Sequence, residues 1–227
     1  MDTRFLSLKS LLTTGWELFK RRPAEAIVGY LLYAVLGGFS MLIPVVGLLV
    51  VFPLMGGLLT LYLKIAKGES CELNDLFSGF NVFGKWVGIG FLAVAFEIAC
   101  FLPAIIAGVV GSVIESSGRS VAGIEYMLMF PSILLSFCLV VGLSVTYGFG
   151  FFSAAEGPGM IEPFVRSAEM TRGIRLQIVW AFLVLTCLQC LVSMVTGGLG
   201  FLVTGPLYML ISAAVYLELK SRSANGT

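Results

Sequence analysis

Glu97 is the one charged side chain set well inside a long apolar run, Trp86 to Ser112, and it lies near the middle of that run. A carboxyl there has two readings. It could be a proton or cation site, because an ionisable group held away from water is by default a functional candidate. It could equally be a packing element, protonated and hydrogen-bonded to Gln189, Thr186 or a backbone carbonyl, since no Lys or Arg lies inside an apolar run to pair with it. Glu97 and Gln189 form the candidate polar site within the membrane.

Composition closes most other chemistry. The sequence has no His, which removes Ser-His proteases, His-dependent acyl transferases, haem ligation by His and most zinc sites. Asp occurs only at Asp2 and Asp75, both outside the apolar runs, so a paired-aspartate intramembrane protease is excluded. Gly157-Pro158-Gly159 and Gly197-Gly198-Leu199-Gly200 lack the preceding strand and the lysine of a phosphate loop. Cys187 and Cys190 make a Cys-x-x-Cys on one turn of an apolar helix, where nothing stabilises a thiolate, so they read as packing. The 5 cysteines are an odd number and Cys100, Cys138, Cys187 and Cys190 fall in apolar runs, which argues against a disulfide framework. Cys71 stands in a polar connector. No catalytic residue, metal or cofactor is expected, and 14 Lys plus Arg against 13 Asp plus Glu offer no basic surface for nucleic acid.

The elements that position these residues follow from the solvent the chain requires. With 58% hydrophobic and 12% charged residues, against roughly a quarter charged in a soluble domain, the chain cannot build a water-facing surface. Ala26 to Leu63 carries no charge and is nearly twice the ~20 residues that cross a bilayer once. It reads as a hairpin turning at 37–47, where Pro44 and the flanking glycines interrupt helical bonding, with helices near 24–42 and 46–64. Trp86 to Ser112 and Tyr126 to Ala155 form a second pair around the polar stretch at 115–120. Pro103 and Pro131 either kink these helices or mark apolar residues lying along the far interface. Ile178 to Leu217, broken by Thr-Gly-Gly-Leu-Gly at 196–200, is the third hairpin.

The fold expected is all-α, a polytopic bundle of six transmembrane helices forming one domain over 1–227, with hairpins at about 24–64, 86–155 and 176–219. The first sustained apolar run begins only after Pro23, so the N-terminus is expected to be retained and not cleaved as a signal peptide. Of the 14 Lys and Arg, all but Arg119 fall on one side of this topology. The positive-inside rule then places both termini in the cytoplasm. Trp16, Trp86 and Trp180 stand near the predicted cytoplasmic boundaries and read as headgroup anchors.

Each hairpin is preceded by an amphipathic stretch. Phe5, Leu8, Leu12, Trp16 and Phe19 recur at helical spacing, predicting an interfacial helix over 3–22. Leu73, Leu76, Phe77, Phe80 and Phe83 repeat the pattern, and Ile161, Phe164, Val165 and Ala168 repeat it more weakly, with Glu162 and Arg166 four apart on the wet side. Three parallel structural repeats, near 5, 73 and 160, account for this, as do ordinary interfacial connectors. Lys20, Arg21, Arg22, Arg166, Arg172 and Arg175 are candidate lipid-headgroup contacts, although topology alone already places cations there. Gly142, Thr146, Gly150 and Ala154 form a small-residue stripe that admits a neighbouring helix, from this chain or from a second copy.

Several of these segments also carry a likeness. Gly-Trp-Glu-Leu-Phe-Lys-Arg-Arg-Pro at 15–23, Asp-Leu-Phe-Ser-Gly-Phe at 75–80, Ile-Glu-Pro-Phe-Val-Arg-Ser-Ala-Glu-Met-Thr-Arg-Gly at 161–173 and Gly-Pro-Leu-Tyr at 205–208 are spread over nearly the whole chain. With them the chain resembles bacterial six-helix membrane proteins of unknown function, grouped with the membrane domain of glycerophosphoryl diester phosphodiesterases. The resemblance implies a six-helix membrane fold in an inner membrane. It implies no phosphodiester hydrolysis, since no catalytic domain accompanies it, and it supplies no functional residues.

Three functions follow in order of fit. The first is a non-enzymatic membrane protein that works by self-assembly or by organising and shaping the bilayer, with membrane lipids and a second copy of itself as candidate partners. The second is a transporter or channel for a small solute, ion or lipid using Glu97. An intramembrane enzyme comes last, lacking acid, base and nucleophile combinations.

Overall fold

The computed structural model describes residues 7–116 and 122–225. Arg119 and Phe5, which enter the topology and the first amphipathic stretch, lie outside the described residues. Among those described the protein is all-α, with eight α-helices, one 3-10 helix and no strand. In chain order these are α1 Leu8–Arg21, α2 Pro23–Ser40, α3 Pro44–Lys67, the 3-10 helix Leu73–Val82, α4 Phe83–Ser116, α5 Ala122–Glu156, α6 Glu162–Met170, α7 Arg175–Val195 and α8 Phe201–Asn225. Six helical stretches are long and apolar enough to cross a membrane: Pro23–Ser40, Val45–Lys67, Leu73–Ile114, Met129–Glu156, Arg175–Val195 and Phe201–Ala224.

The breaks have local causes. Ser7 caps α1 by accepting a hydrogen bond from the Ser10 amide, and Pro23 and Pro44 open α2 and α3, where the missing N–H costs nothing. Between α7 and α8, Gly197 and Gly198 adopt φ of 61° and 93°, a left-handed conformation that side chains with a Cβ resist. Pro103 and Pro131 lie inside continuous helices. α4 and α5, with 34 and 35 residues, are each about 50 Å long at 1.5 Å per residue, well beyond a ~30 Å hydrocarbon core.

Packing divides the chain into two compact units, Met1–Gly90 with Val145–Thr227, and Phe91–Ser144. In the larger unit the core is built on α3 and α8, with Leu58, Leu61, Tyr62, Leu210, Ala213 and Tyr216 wholly buried. The smaller unit buries Cys100 and Ala107 but exposes Phe91, Leu92, Phe101, Ile105, Phe130 and Leu134 among many large apolar side chains.

The amphipathic segments dock in a repeating manner within the larger unit. α1 lies on α8, with Gly15 against Ile211 and Leu207. The 3-10 helix runs back along α3: Asp75 meets Lys64, Leu76 meets Gly57, and Gly79 meets Pro53. α6 runs back along α5, with Phe164 over Gly150 and the Ser167 hydroxyl donating to the Thr146 carbonyl at 2.8 Å. In each of the three dockings a glycine, Gly15, Gly57 with Gly79, or Gly150, removes a Cβ that would otherwise keep the two segments apart. The 3-10 helix and α6 thus each dock on the long helix that precedes them, and α1 docks on the last helix, α8.

The docking faces are not the stripes of large apolar residues seen in the sequence. α1 buries Leu11, Gly15, Leu18 and Phe19 and leaves Leu8 and Trp16 exposed; α6 buries Pro163, Ser167 and Met170 and leaves Ile161 and Val165 exposed. Gly15 and Ser167 allow close backbone approach, with Leu11, Leu18, Phe19 and Met170 buried beside them. The expectation that Trp86 is a headgroup anchor is corrected here. Trp86 is 2% exposed and lies over Gly56, because the bare glycine surface of α3 accepts an indole, while Trp16 and Trp180 are exposed.

Candidate functional site

The densest set of interacting charges among the described residues lies where α3 and α5 end beside the last turns of α8. α5 terminates at Glu156, followed by Gly157-Pro158-Gly159, which cannot continue a helix. The Glu156 carboxylate accepts from Lys67 Nζ of α3 at 2.7 Å, from Lys220 Nζ of α8 at 2.6 Å and from the Tyr216 hydroxyl of α8 at 2.6 Å. Tyr216 is itself fully buried and stacked on Phe152 of α5, with ring centroids 5.8 Å apart. One carboxylate therefore ties α5 to both α3 and α8.

Neighbouring groups reinforce this end. Lys85, at the start of α4, donates to the carbonyls of Ala154 and Gly157. The last carbonyls of a helix lack partners and carry the negative end of its dipole, so an ammonium satisfies both. Lys85 also lies 5.6 Å from the Trp86 ring centroid. Lys64 pairs with Asp75 at 2.7 Å, and Asp75 also caps the 3-10 helix by accepting from the Glu72 amide at 2.9 Å. Tyr62 donates to the Ala26 carbonyl at 2.9 Å, fastening the start of α2 to the end of α3. Cys71, in the connector after α3, is buried, and that burial raises its thiol pKa.

Beside the tie lies a cleft of about 200 Å³ between Ser153 and Glu156 of α5, Glu162 and Arg166 of α6, and Lys220 of α8. Its charges are largely spoken for. Glu156 is filled by three donors, and Arg166 reaches Glu162 at 3.5 Å, where both are exposed. The arrangement braces helices; it offers neither an activated nucleophile nor a free base poised over a cavity.

The residues singled out by sequence fall as follows. Glu97 is exposed on α4 near its midpoint and makes no hydrogen bond or ion pair among the described residues. It belongs to the unit Phe91–Ser144, whereas Gln189, half-buried on α7, belongs to the other. Thr186 is hydrogen-bonded with Tyr208. Lys20, Arg21, Arg22, Arg166, Arg172 and Arg175 are all exposed, and Arg22 pairs with Glu25 at 3.0 Å. The small-residue stripe divides in two. Thr146 and Gly150 receive α6 of the same chain and Ala154 is fully buried, whereas a side chain on Gly142 would meet open space. Cys187 and Cys190 are free thiols exposed on α7.

Glu156 was not among the residues marked by sequence reasoning. Its signal is positional: α3 ends at Lys67 and α5 at Glu156, and Lys220 lies in the last turns of α8, so one acid stands near the ends of helices that carry two bases. No protein-family model matches the chain, and neither a curated protein nor a solved structure matches it.

Proposed function

We propose that this chain is a non-enzymatic integral membrane protein that acts by assembling in, and organising or shaping, its bilayer. In this reading six helices cross in three parallel hairpins, with both termini on the cytoplasmic side of a bacterial-type inner membrane. The proposed likeness to the six-helix family rests on the motifs at 15–23, 75–80, 161–173 and 205–208.

The observation that carries the reading is the apolar rim of the docked segments. Leu8 and Trp16, Leu73, Phe77 and Phe80, and Met160, Ile161 and Val165 all stay exposed. They belong to, or directly precede, the segments that dock against α8, α3 and α5, the three helices joined at Glu156. Apolar side chains pushed into one leaflet occupy area there that the other leaflet does not match, which favours curvature. Arg166, Arg172 and Arg175 are placed to meet anionic headgroups.

Reconstitution into phospholipid vesicles tests this. Vesicles carrying the chain should become smaller or tubular as protein density rises, and replacing Ile161 and Val165 by Ser should weaken that effect. Vesicles indistinguishable from empty ones at every density would overturn it.

A further inference from the structure

We propose that the cleft beside Glu156 takes a phosphoethanolamine group, its phosphate between Lys220 and Arg166 and its ammonium on Glu162. The lining comes from α5, the connector after it, α6 and α8, all within one compact unit. Its volume of about 200 Å³ falls short of the ~300–1,000 Å³ that encloses a drug-sized molecule, and suits a headgroup alone.

Charge selects the ligand. Two acids, Glu156 and Glu162, and two bases, Arg166 and Lys220, line the cleft, so a ligand with one charge of each sign matches it better than a net anion. The two acids differ in role. Glu156 is filled by Lys67, Lys220 and Tyr216, and it acts by fixing Lys220. An ammonium has three N–H donors, of which Glu156 takes one at 2.6 Å, so Lys220 is held in place with capacity for a phosphate oxygen. Glu162 and Arg166 meet only at 3.5 Å, with side chains 76% and 53% exposed. Such a pair contributes little and a ligand parts it readily. The guanidinium then donates to the phosphate as a bidentate fork, and the carboxylate accepts from the ammonium.

The ammonium must be a primary one. A quaternary ammonium such as choline is recognised by aromatic faces, and none of the residues that line the cleft is aromatic. Between the lining residues Gly159 and Glu162 the chain exposes Met160 and Ile161. Apolar side chains beside a headgroup-sized cleft favour a phospholipid as the bearer of the group, and that source rests on the membrane-spanning reading.

The test titrates the full chain in maltoside detergent with dioctanoyl phosphatidylethanolamine, phosphatidylcholine or phosphatidylglycerol, and counts bound lipid by native mass spectrometry. The ethanolamine lipid should bind at one site per chain, about tenfold or more tighter than either of the others. Glu162→Gln should weaken it by about tenfold and so remove the preference over choline, while Arg166→Gln should weaken the ethanolamine and choline lipids alike. Arg172→Gln, at an exposed position outside the cleft, should bind as the native chain does. Free O-phosphoethanolamine separates the two sources of the group. Competition only at far higher concentration assigns it to a lipid, and competition at equal concentration assigns it to a solute, each in support of the headgroup chemistry. Equal binding of the three lipids, or equal losses from Arg166→Gln and Arg172→Gln, would overturn the proposal, the second by reducing it to general attraction between cations and phosphate. Flotation and vesicle shape, read with phosphatidylcholine and phosphatidylglycerol alone, report on the membrane reading separately. A chain that floats and reshapes those vesicles but shows no ethanolamine preference overturns this inference alone, whereas a chain that fails to float removes the membrane reading.

Discussion

At Glu156 a single carboxylate has two ammonium partners and a phenol within 2.7 Å, and hydrogen bonds to charged groups are the strong ones. Glu156→Ala leaves Lys67 and Lys220 facing each other without an anion and should lower stability by about 2–3 kcal/mol. Glu156→Gln keeps acceptor capacity but not charge, and should lose less. Thermal unfolding of the detergent-solubilised chain measures both, and an unchanged midpoint for the Ala variant would show that the tie contributes nothing. Cys71 gives a second expectation at this scale. Burial holds its thiol pKa above the ordinary range, and the thiolate is the species that alkylates. Maleimide should therefore label Cys71 slowly in the folded chain and quickly once it is unfolded, the rate in the folded chain rising with pH.

Helices and their docking segments meet through missing side chains. A Cβ on Gly57 would run into the Leu76 backbone carbonyl, which cannot move aside as a flexible side chain would. Gly57→Leu should therefore cost about 3 kcal/mol or prevent folding. Gly38, on α2, has nothing within reach of a Cβ. Gly38→Ala should be neutral or stabilise by about 0.5–1 kcal/mol through helix propensity alone. Comparing the two unfolding midpoints separates close approach from a general intolerance of glycine replacement. Helix boundaries were legible beforehand because uncharged runs end where charge, Gly or Pro begins, as at Pro44 and at 196–200. The docking faces were not, because large apolar residues dominate any periodicity, while the residues that dock include Gly15, Ser167 and Gly79, which carry little hydrophobic signal.

At the scale of the whole chain, α3, α5 and α8 are joined around Glu156. On the proposed membrane reading, tags at the two termini should report the same compartment and a tag inserted between α4 and α5 the opposite one. Protease protection in inside-out vesicles measures this, and termini on opposite faces would remove the three-hairpin topology. Docking explains why the amphipathic segments recur. The 3-10 helix and α6 each cover the long helix that precedes them, and α1 covers α8.

Composition and the placement of charge determined the all-α class and six long apolar helices, because those depend on local hydrophobicity and on chain breakers that act over a few residues. Glu97 was equally visible, since one charge in an apolar run needs no partner to be noticed. Only tertiary structure decided that Glu156 joins Lys67, Tyr216 and Lys220, that Trp86 is buried on Gly56, and that Glu97 faces outward. Those outcomes depend on which surfaces meet across dozens of residues, and contact between distant small residues leaves no period in the sequence to read.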